Sequence, residues 1–237
     1  MTFIITVYKL LIRTLLTRGR LILLLLLGLV GIGIGIAIGA SSSADHLDAG
    51  TRLVNSFALS LYAPVATLVF ASACFGDLVD DSTLVYLWMR PVARWKLAVA
   101  AYFATISITL PMVVIPMTGA AIAAAGGASL VKGALLSTSV AVIAYSGLFM
   151  LAGLWIRRAL AWGLAYILLW EGFIAGAGRN AGRLALRAYS RSLLHNETGV
   201  KLKLANLSMT TAIVVPLVVT VVTIALTTWR LRETEVA

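Results

Sequence analysis

The chain has 237 residues, 61% of them hydrophobic, with a mean hydropathy of +1.00 and a formal net charge of +10. A soluble domain of this size could not bury so much apolar surface, so the composition excludes that class and indicates an integral membrane protein. The apolar runs are long and do not alternate with polar residues, which predicts helices instead of a β-barrel. The bases lie between these runs, where anionic membrane lipids attract them, so we expect lipid contacts and no nucleic-acid partner.

Residues 1–20 predict an amphipathic helix that lies in the membrane interface. Lys9 and Arg13 are four residues apart and share one face, whereas Phe3, Val7, Leu10 and Leu11 lie on another. The bases recur through the whole stretch and no small-residue cleavage site follows promptly, so it does not match a cleavable signal peptide. The alternative is an ordinary cytoplasmic extension of the first span.

Six apolar runs of about 18–22 residues follow, each long enough to cross about 30 Å of hydrocarbon as a helix. The predicted spans are Leu21–Ala40, Asn55–Phe75, Leu97–Met117, Gly133–Leu154, Ala159–Gly176 and Ser208–Trp229. We expect one transmembrane domain over residues 1–237, with both termini on one side. With the termini in the cytoplasm, 11 of the 19 bases are cytoplasmic, and six of the other eight lie in residues 177–207. The positive-inside rule favours this orientation apart from that one outer loop.

The first span carries a stripe of small residues. Gly31, Gly35 and Gly39 are spaced by four, so they share a helix face. Such a stripe allows close helix packing, either within the subunit or across a dimer. It is not a phosphate-binding loop, because it lies inside an apolar run and contains no lysine.

A charged segment, residues 76–96, separates the second and third spans. Its acids Asp77, Asp80 and Asp81 share a helix face, and acids at a helix start complement the helix dipole. Pro91 then predicts a break before the third span. The segment therefore predicts a short helix along the membrane face followed by a turn, with a plain charged loop as the alternative.

Glu171 is the acid that we place within a span, because it falls in the predicted fifth span, Ala159–Gly176. A charge at that depth is costly, so it normally has a partner or a role. Arg179 and Arg183 follow shortly in the sequence and could pair with it. Two interpretations stay open: a structural or interfacial acid, and a role in the passage of substrate or ions.

The loop between the fifth and sixth spans carries a basic stripe. Arg179, Arg183, Arg187 and Arg191 are each four residues apart, which predicts a basic amphipathic helix on the outer membrane surface. Such a helix either anchors the chain to lipid or lines a vestibule that meets an anionic head group or substrate.

The sequence contains no pattern that predicts a catalytic, metal or cofactor site. His46 and His195 fall in predicted loops without metal-ligand spacing, and neither GxxxxGK[ST] nor HExxH occurs. We therefore expect no enzymatic activity and no cofactor on this chain.

The charged segment resembles the one that follows the second span in ABC type-2 transporter permeases. That family's pattern is an acid, Gly-Thr-Leu, two leucines and Pro-Val-Ser-Arg. The matching residues here are Asp80, Ser82-Thr83-Leu84, Leu87 and Arg90-Pro91-Val92-Ala93-Arg94. The spacing from threonine to proline is kept, while Asp80 replaces glutamate, Ser82 replaces glycine and Ala93 replaces serine. Trp170-Glu171-Gly172, followed by an amphipathic stretch, is similar to the family's fifth span and outer loop.

The resemblance implies a permease subunit of an ATP-driven exporter for a hydrophobic or amphipathic substrate, in the cell membrane of a bacterium. Two permease copies or paralogues would pair with two ABC ATPase subunits, which would bind ATP and Mg²⁺. The charged segment would be the coupling helix that contacts the ATPase. Its expected coupling residues are Asp77, Asp80, Asp81, Thr83, Leu84, Leu87, Arg90, Pro91 and Arg94. The alternative is a non-transporting membrane scaffold or assembly factor in which the outer basic helix is the working part.

Overall fold

The computed structural model describes residues 2–42, 45–80, 93–173, 184–203 and 207–233. All regular secondary structure in these ranges is helical. The α-helices are α1 (Thr2–Leu15), α2 (Arg18–Gly39), α3 (His46–Leu53), α4 (Ala63–Asp80), α5 (Arg94–Ala123), α6 (Gly127–Trp155), α7 (Ala159–Ala165), α8 (Leu186–Thr198) and α9 (Met209–Glu233). Two π-helical segments continue this series: π1 (Val54–Tyr62) joins α3 to α4, and π2 (Tyr166–Phe173) follows α7.

Five helical stretches among the described residues are long and apolar enough to cross a membrane, which supports the predicted all-α membrane class. They are Arg18–Gly39, His46–Asp77, Arg94–Ala123, Gly127–Trp155 and Met209–Glu233. The predicted fifth span is represented by a shorter apolar helix, Ala159–Gly172, whose second half is π-helical. The 14 residues of this helix reach about 21 Å as an α-helix, and residues 174–176 of the predicted span lie outside the described residues.

Helix α6 lies in the middle of the bundle, where it packs against α4, α5, α8 and α9. In α2 and α9, only 22% of the most apolar window is buried, against 72% for His46–Asp77. The outward faces of α2 and α9 are rich in exposed leucine, isoleucine and valine. This distribution is typical of peripheral helices whose outer faces meet lipid, around a core that α4 and α6 share.

Helix α1 is a separate amphipathic helix, because the backbone is extended at Thr17 before α2 begins. Val7 and Leu11 are buried where α1 packs against α5, whereas Lys9 and Arg13 are exposed. The Tyr8 hydroxyl also donates to Ser107 Oγ on α5 at 2.9 Å. The predicted division between an apolar and a basic face is therefore confirmed at these four positions, whereas Leu10, predicted on the apolar face, is 50% exposed.

The glycine face of α2 packs against α5 of the same chain. A Cβ atom at Gly35 or Gly39 would lie closer than 3.0 Å to the backbone carbonyl oxygen of Ala120 or Ala123, respectively. A Cβ atom at Gly31 would come equally close to the Met117 side chain. Of the two interpretations of this stripe, the structure supports packing within the subunit.

This packing predicts that Gly35→Ala destabilises the chain. The added methyl group meets a backbone carbonyl that cannot rotate away, so overpacking should cost about 1–3 kcal/mol and lower the thermal unfolding temperature in detergent. Gly33→Ala is the matched control, because no atom lies within 4 Å of a Cβ at that position. Equal unfolding temperatures for the two variants would contradict the α2–α5 contact.

Proline residues alter the backbone at two places in the core. Pro116 cannot donate to the carbonyl of Met112, and the buried Tyr62 hydroxyl donates to that oxygen instead, at 2.6 Å. Pro64 is the second residue of α4, which follows π1, and in a regular α-helix its ring would crowd the carbonyl of Ser60, one turn earlier. The wider π-helical turn relieves this crowding. The two prolines therefore help to shape π1 and its contact with α5.

Candidate functional site

A buried polar cluster surrounds Glu171, which is only 1% exposed. The Tyr145 hydroxyl donates to Glu171 Oε2, and the Tyr166 hydroxyl donates to Oε1 at 3.4 Å. Arg187 Nη2 donates to the backbone carbonyl oxygen of Glu171 at 2.6 Å. Among the described residues, no base lies within the 4.0 Å of a salt bridge to this carboxylate. Glu171 is thus held mainly by tyrosine hydroxyls, in an arrangement that suits a carboxylate, which only accepts hydrogen bonds.

The geometry of π2 explains how Tyr166 and Glu171 reach each other. Residues five apart would point about 140° away from each other on an α-helix. A π-helical turn closes on residue i+5 and therefore brings the two side chains to the same side. Phe149 stacks on Tyr145 at 5.6 Å between ring centroids and meets Tyr166 edge-on at 6.3 Å. This aromatic packing fixes the positions of both hydroxyl groups.

Helix α8 runs through the bundle interior, which corrects the prediction of a helix on the membrane surface. Of its 13 residues only Asn196 is exposed. Its first turn contacts Glu171 through Arg187, and its last turn lies against Gly133 of α6, close to Leu194 Cδ1 and Thr198 Cγ2. The distance along α6 from Gly133 to Tyr145, a residue of the cluster, is about 18 Å. Helix α8 is therefore antiparallel to α6 and begins deep in the bundle.

Two features turn the bases of α8 inward. Small residues, among them Ala188, Ser190 and Ser192, are buried and allow close packing against the neighbouring helices. Glu171 lies at the same depth as the first turn of α8, and Arg187 in that turn donates to the backbone carbonyl of Glu171. Spacing along the sequence showed that Arg187 and Arg191 share a face, but it could not show which side that face meets. Arg179 and Arg183 lie outside the described residues.

Arg191 is the second base of this cluster. Its Nε atom is buried and has no hydrogen-bond partner among the described residues. The guanidinium stays charged at neutral pH, because arginine side chains are not deprotonated in proteins. With Glu171 ionised, the described part of the cluster holds two positive charges and one negative charge.

Further polar atoms line the elements next to α8. Thr51 Oγ1, Asn55 Oδ1 and Ser146 Oγ are buried without a hydrogen-bond partner in the described part of the chain. Thr51 and Asn55 belong to α3 and π1, which both contact α8, and Ser146 is adjacent to Tyr145. Buried polar groups without protein partners are usually satisfied by water. The interior around α8 is therefore chemically suited to polar or charged groups.

The first two acids of the charged segment are placed differently from the prediction. Asp77 and Asp80 lie in the last turn of α4 instead of starting a new helix, because no residue between Phe75 and Asp80 breaks α4. Acids are unfavourable at the negative end of a helix dipole. Arg20 at the start of α2 compensates for Asp77 with bonds of 3.0 and 3.2 Å to the two carboxylate oxygens.

The other expected coupling residues divide between the start of α5 and a segment that the structure does not cover. Arg94 is the first residue of α5. It therefore lies three residues before Leu97, where the predicted third span begins. The remaining expected coupling residues lie outside the described residues: Asp81, Thr83, Leu84, Leu87, Arg90 and Pro91.

Tyr145 and Tyr166 are site residues that the sequence reasoning did not identify. Their signal was present, because a tyrosine buried in an apolar span normally needs a hydrogen-bond partner. Glu171 was the acid predicted within a span, so a search for hydroxyl donors could have found both. Within the described residues, no group of three or more His, Cys, Asp or Glu side chains could hold a metal ion.

No protein-family model matches the chain, and no curated protein matches it significantly. The family resemblance therefore depends on the residues that carry it, in the segment 80–94 and at 170–172.

Proposed function

We propose that this chain is the membrane-spanning permease subunit of an ATP-driven ABC exporter. The observation that carries the proposal is the pattern Asp80 to Arg94, which begins at the last residue of α4 and ends at the first residue of α5. In the proposed arrangement a separate subunit binds this segment, which connects two long apolar helices. The amphipathic helix α1 before the first apolar helix agrees with the elbow helix that the resemblance implies.

The proposed layout has six membrane-crossing elements, with both termini in the cytoplasm of a bacterial cell. These elements are α2, the continuous run from α3 to α4, α5, α6, α7 with π2, and α9, while α8 enters the bilayer from the outer side. Half-exposed tryptophans support one interface level at the cytoplasmic end: Trp95 at the start of α5, Trp155 at the end of α6 and Trp229 at the end of α9. Arg230 lies 5.9 Å from the ring centre of Trp155, and such pairs of aromatic and basic residues are typical of the membrane interface.

In the proposed mechanism, ATPase subunits with bound ATP and Mg²⁺ move the segment between α4 and α5. The helices on either side of this segment transmit the movement into the bundle. The Asp77–Arg20 ion pair links the end of α4 to the start of α2, so a displacement of α4 also acts on α2. A second permease copy or paralogue completes the pathway for a hydrophobic or amphipathic substrate.

The scaffold alternative has less support, because it relied on an exposed basic helix. The described part of that helix, α8, is packed between α6, α9 and π1 and presents little surface to a partner. Its two described arginines, Arg187 and Arg191, are near Glu171 in the bundle interior.

Affinity purification of the tagged chain from its own cells in mild detergent tests the proposed function. We expect an ATPase with a GxxxxGK[ST] loop to co-purify in a defined ratio to the permease and to hydrolyse ATP. An unrelated membrane protein with the same tag is the control. Recovery of a folded, monodisperse chain without any ATPase would count against the exporter.

A further inference from the structure

We infer that the groove between α1, α2 and α5 is a binding site for one anionic phospholipid. An acyl chain of this lipid lies in the groove, and its phosphate contacts Lys9 and Arg13 of α1. The site needs no partner subunit and is separate from the proposed export. Only its assignment to the cytoplasmic leaflet rests on the proposed function, which places α1 on that side of the membrane.

The groove is a hollow of about 530 Å³ on the side of the bundle. It extends along α5 from Ser107 to Pro116, nine residues or about 14 Å. The extended backbone at Thr17 turns α1 away from the axis of α2, which leaves this wedge between the helices open. Its volume falls within the range of about 300–1,000 Å³ that is typical of ligand sites. Two side chains from each helix form its walls: Ile12, Leu16, Leu21, Leu25, Ile108 and Ile115.

The lining of the groove suits an alkyl chain. Its two hydroxyl groups, of Tyr8 and Ser107, bond to each other at 2.9 Å, and the other described side chains that line it are apolar. Leu25 and Ile115 are 50% and 66% exposed, so the groove opens sideways toward the lipid. An acyl chain from the bilayer can therefore enter it without leaving a polar group unpaired.

A basic hollow adjoins the groove on the side of α1. Ile12 lines both hollows, and Lys9 and Arg13 line the second one. Both bases are exposed, and neither forms a salt bridge with an acid among the described residues. Bases at a membrane surface attract anionic head groups, and phosphate oxygens accept hydrogen bonds from them. An apolar groove beside two free bases therefore matches a phospholipid whose head group carries a net negative charge.

The walls of the groove are held in place before any lipid binds. Gly35 and Gly39 fix α2 against α5, and the Tyr8–Ser107 bond fixes α1 against α5. A preformed site keeps the ordering cost of binding low, which distinguishes it from the flat apolar faces elsewhere on the bundle. A second copy of the chain fits this place less well, because a twofold contact would bring the same bases of both copies together.

Native mass spectrometry of the full chain in detergent tests the inference by counting bound lipids. We expect one dioleoyl-phosphatidylglycerol per chain, bound about tenfold or more tightly than dioleoyl-phosphatidylcholine. The soluble head group glycerophosphoglycerol has no acyl chain and should not displace the lipid. Its displacement of the lipid would contradict the role of the groove.

A pair of tryptophans tests the apolar half of the site. Leu25→Trp with Ile115→Trp narrows the groove from two walls and should weaken phosphatidylglycerol binding by about tenfold or more. The matched control is Leu29→Trp with Ile122→Trp, on the same two helices but outside the groove, where the parent side chains are 59% and 65% exposed. It should leave the affinity unchanged. All four positions are exposed, so we expect unchanged thermal transitions.

A second pair tests the head-group half independently. Lys9→Gln with Arg13→Gln should lower the affinity for phosphatidylglycerol by about tenfold or more, to near that for phosphatidylcholine. Lys201→Gln with Lys203→Gln removes the same charge from two exposed positions after α8 and should have no effect.

Four results would overturn the inference: equal affinity for the two lipids, parental affinity in either folded test variant, equal weakening by its control, or a dimer that replaces lipid binding. Failure of the exporter proposal is a separate result, since an absent ATPase would leave these measurements unchanged. Conversely, ATPase association without selective lipid binding would reject the lipid site alone.

Discussion

Replacing Asp80 and Asp81 together with lysine should separate the chain from its ATPase while the chain itself still folds. Asp80 is the last residue of α4, where a cation favours the helix dipole by about 0.3–1 kcal/mol. The substitution should therefore not weaken α4. At the proposed docking surface, the new cations would meet any basic rim of the ATPase, and such a mismatch costs several kcal/mol. A penalty of about 2.8 kcal/mol corresponds to a hundredfold loss of affinity.

The measurement is the amount of ATPase that co-purifies, together with substrate-stimulated ATP hydrolysis by the complex. Lys132→Glu is the control, because it also reverses an exposed charge but lies near the start of α6, at the opposite end of the bundle. It should leave association intact. If the double variant keeps full association and full coupled hydrolysis, residues 77–94 are not the coupling segment and the exporter proposal loses its main support.

Removing the Tyr145 hydroxyl should destabilise the chain more than removing the Tyr166 hydroxyl. Tyr145→Phe leaves the buried Glu171 side chain without its closer donor, which should cost about 1–3 kcal/mol. Tyr166→Phe removes a bond of 3.4 Å, which is weaker, so the loss should be smaller. Thermal unfolding in detergent compares these two matched variants directly. Equal decreases in unfolding temperature for the two variants would show that the Tyr145 hydroxyl contributes no more stability than the Tyr166 hydroxyl.

Glu171→Gln distinguishes the two interpretations of the acid. If the acid is structural, this variant should unfold at a lower temperature, while ATP turnover per folded complex stays near the parental value. The expected reason is that an amide replaces one of the two acceptor oxygens with a donor, which then faces a tyrosine hydroxyl. A collapse of turnover with unchanged stability would instead assign Glu171 a role in the passage of substrate or ions.

Helix type and the positions of most spans could be predicted, because length and apolar composition decide whether a segment can cross a membrane. The change from an amphipathic to a uniformly apolar pattern predicted a break between α1 and α2 after residue 20, whereas the structure places it at residues 16–17. The fifth span was less predictable. Its second half is π-helical, and the pairing of Tyr166 with Glu171 depends on that local geometry.

The errors in the predicted site have a common physical origin. The basic stripe of α8 was assigned to the surface because bases are usually exposed, but Arg187 donates to Glu171, 16 positions earlier in the sequence. Asp77 was assigned to a helix start, and its partner Arg20 is 57 residues away. Spacing along the chain reports which residues share a face of one helix. It does not report which other helix that face meets.

The contact between the glycine face of α2 and α5 limits which parts of the bundle can move independently. Gly35 and Gly39 lie against the backbone of α5, so a shift of one residue between these helices, about 1.5 Å, would drive backbone atoms together. Helices α2 and α5 therefore behave as one rigid unit, to which the Tyr8–Ser107 bond adds α1. At π2, reversion to an α-helical turn would place Glu171 about 140° around the helix axis from Tyr166 and separate the two side chains. In the proposed exporter, such a local twist would withdraw the acid from its tyrosines while the α1–α2–α5 unit stays in place.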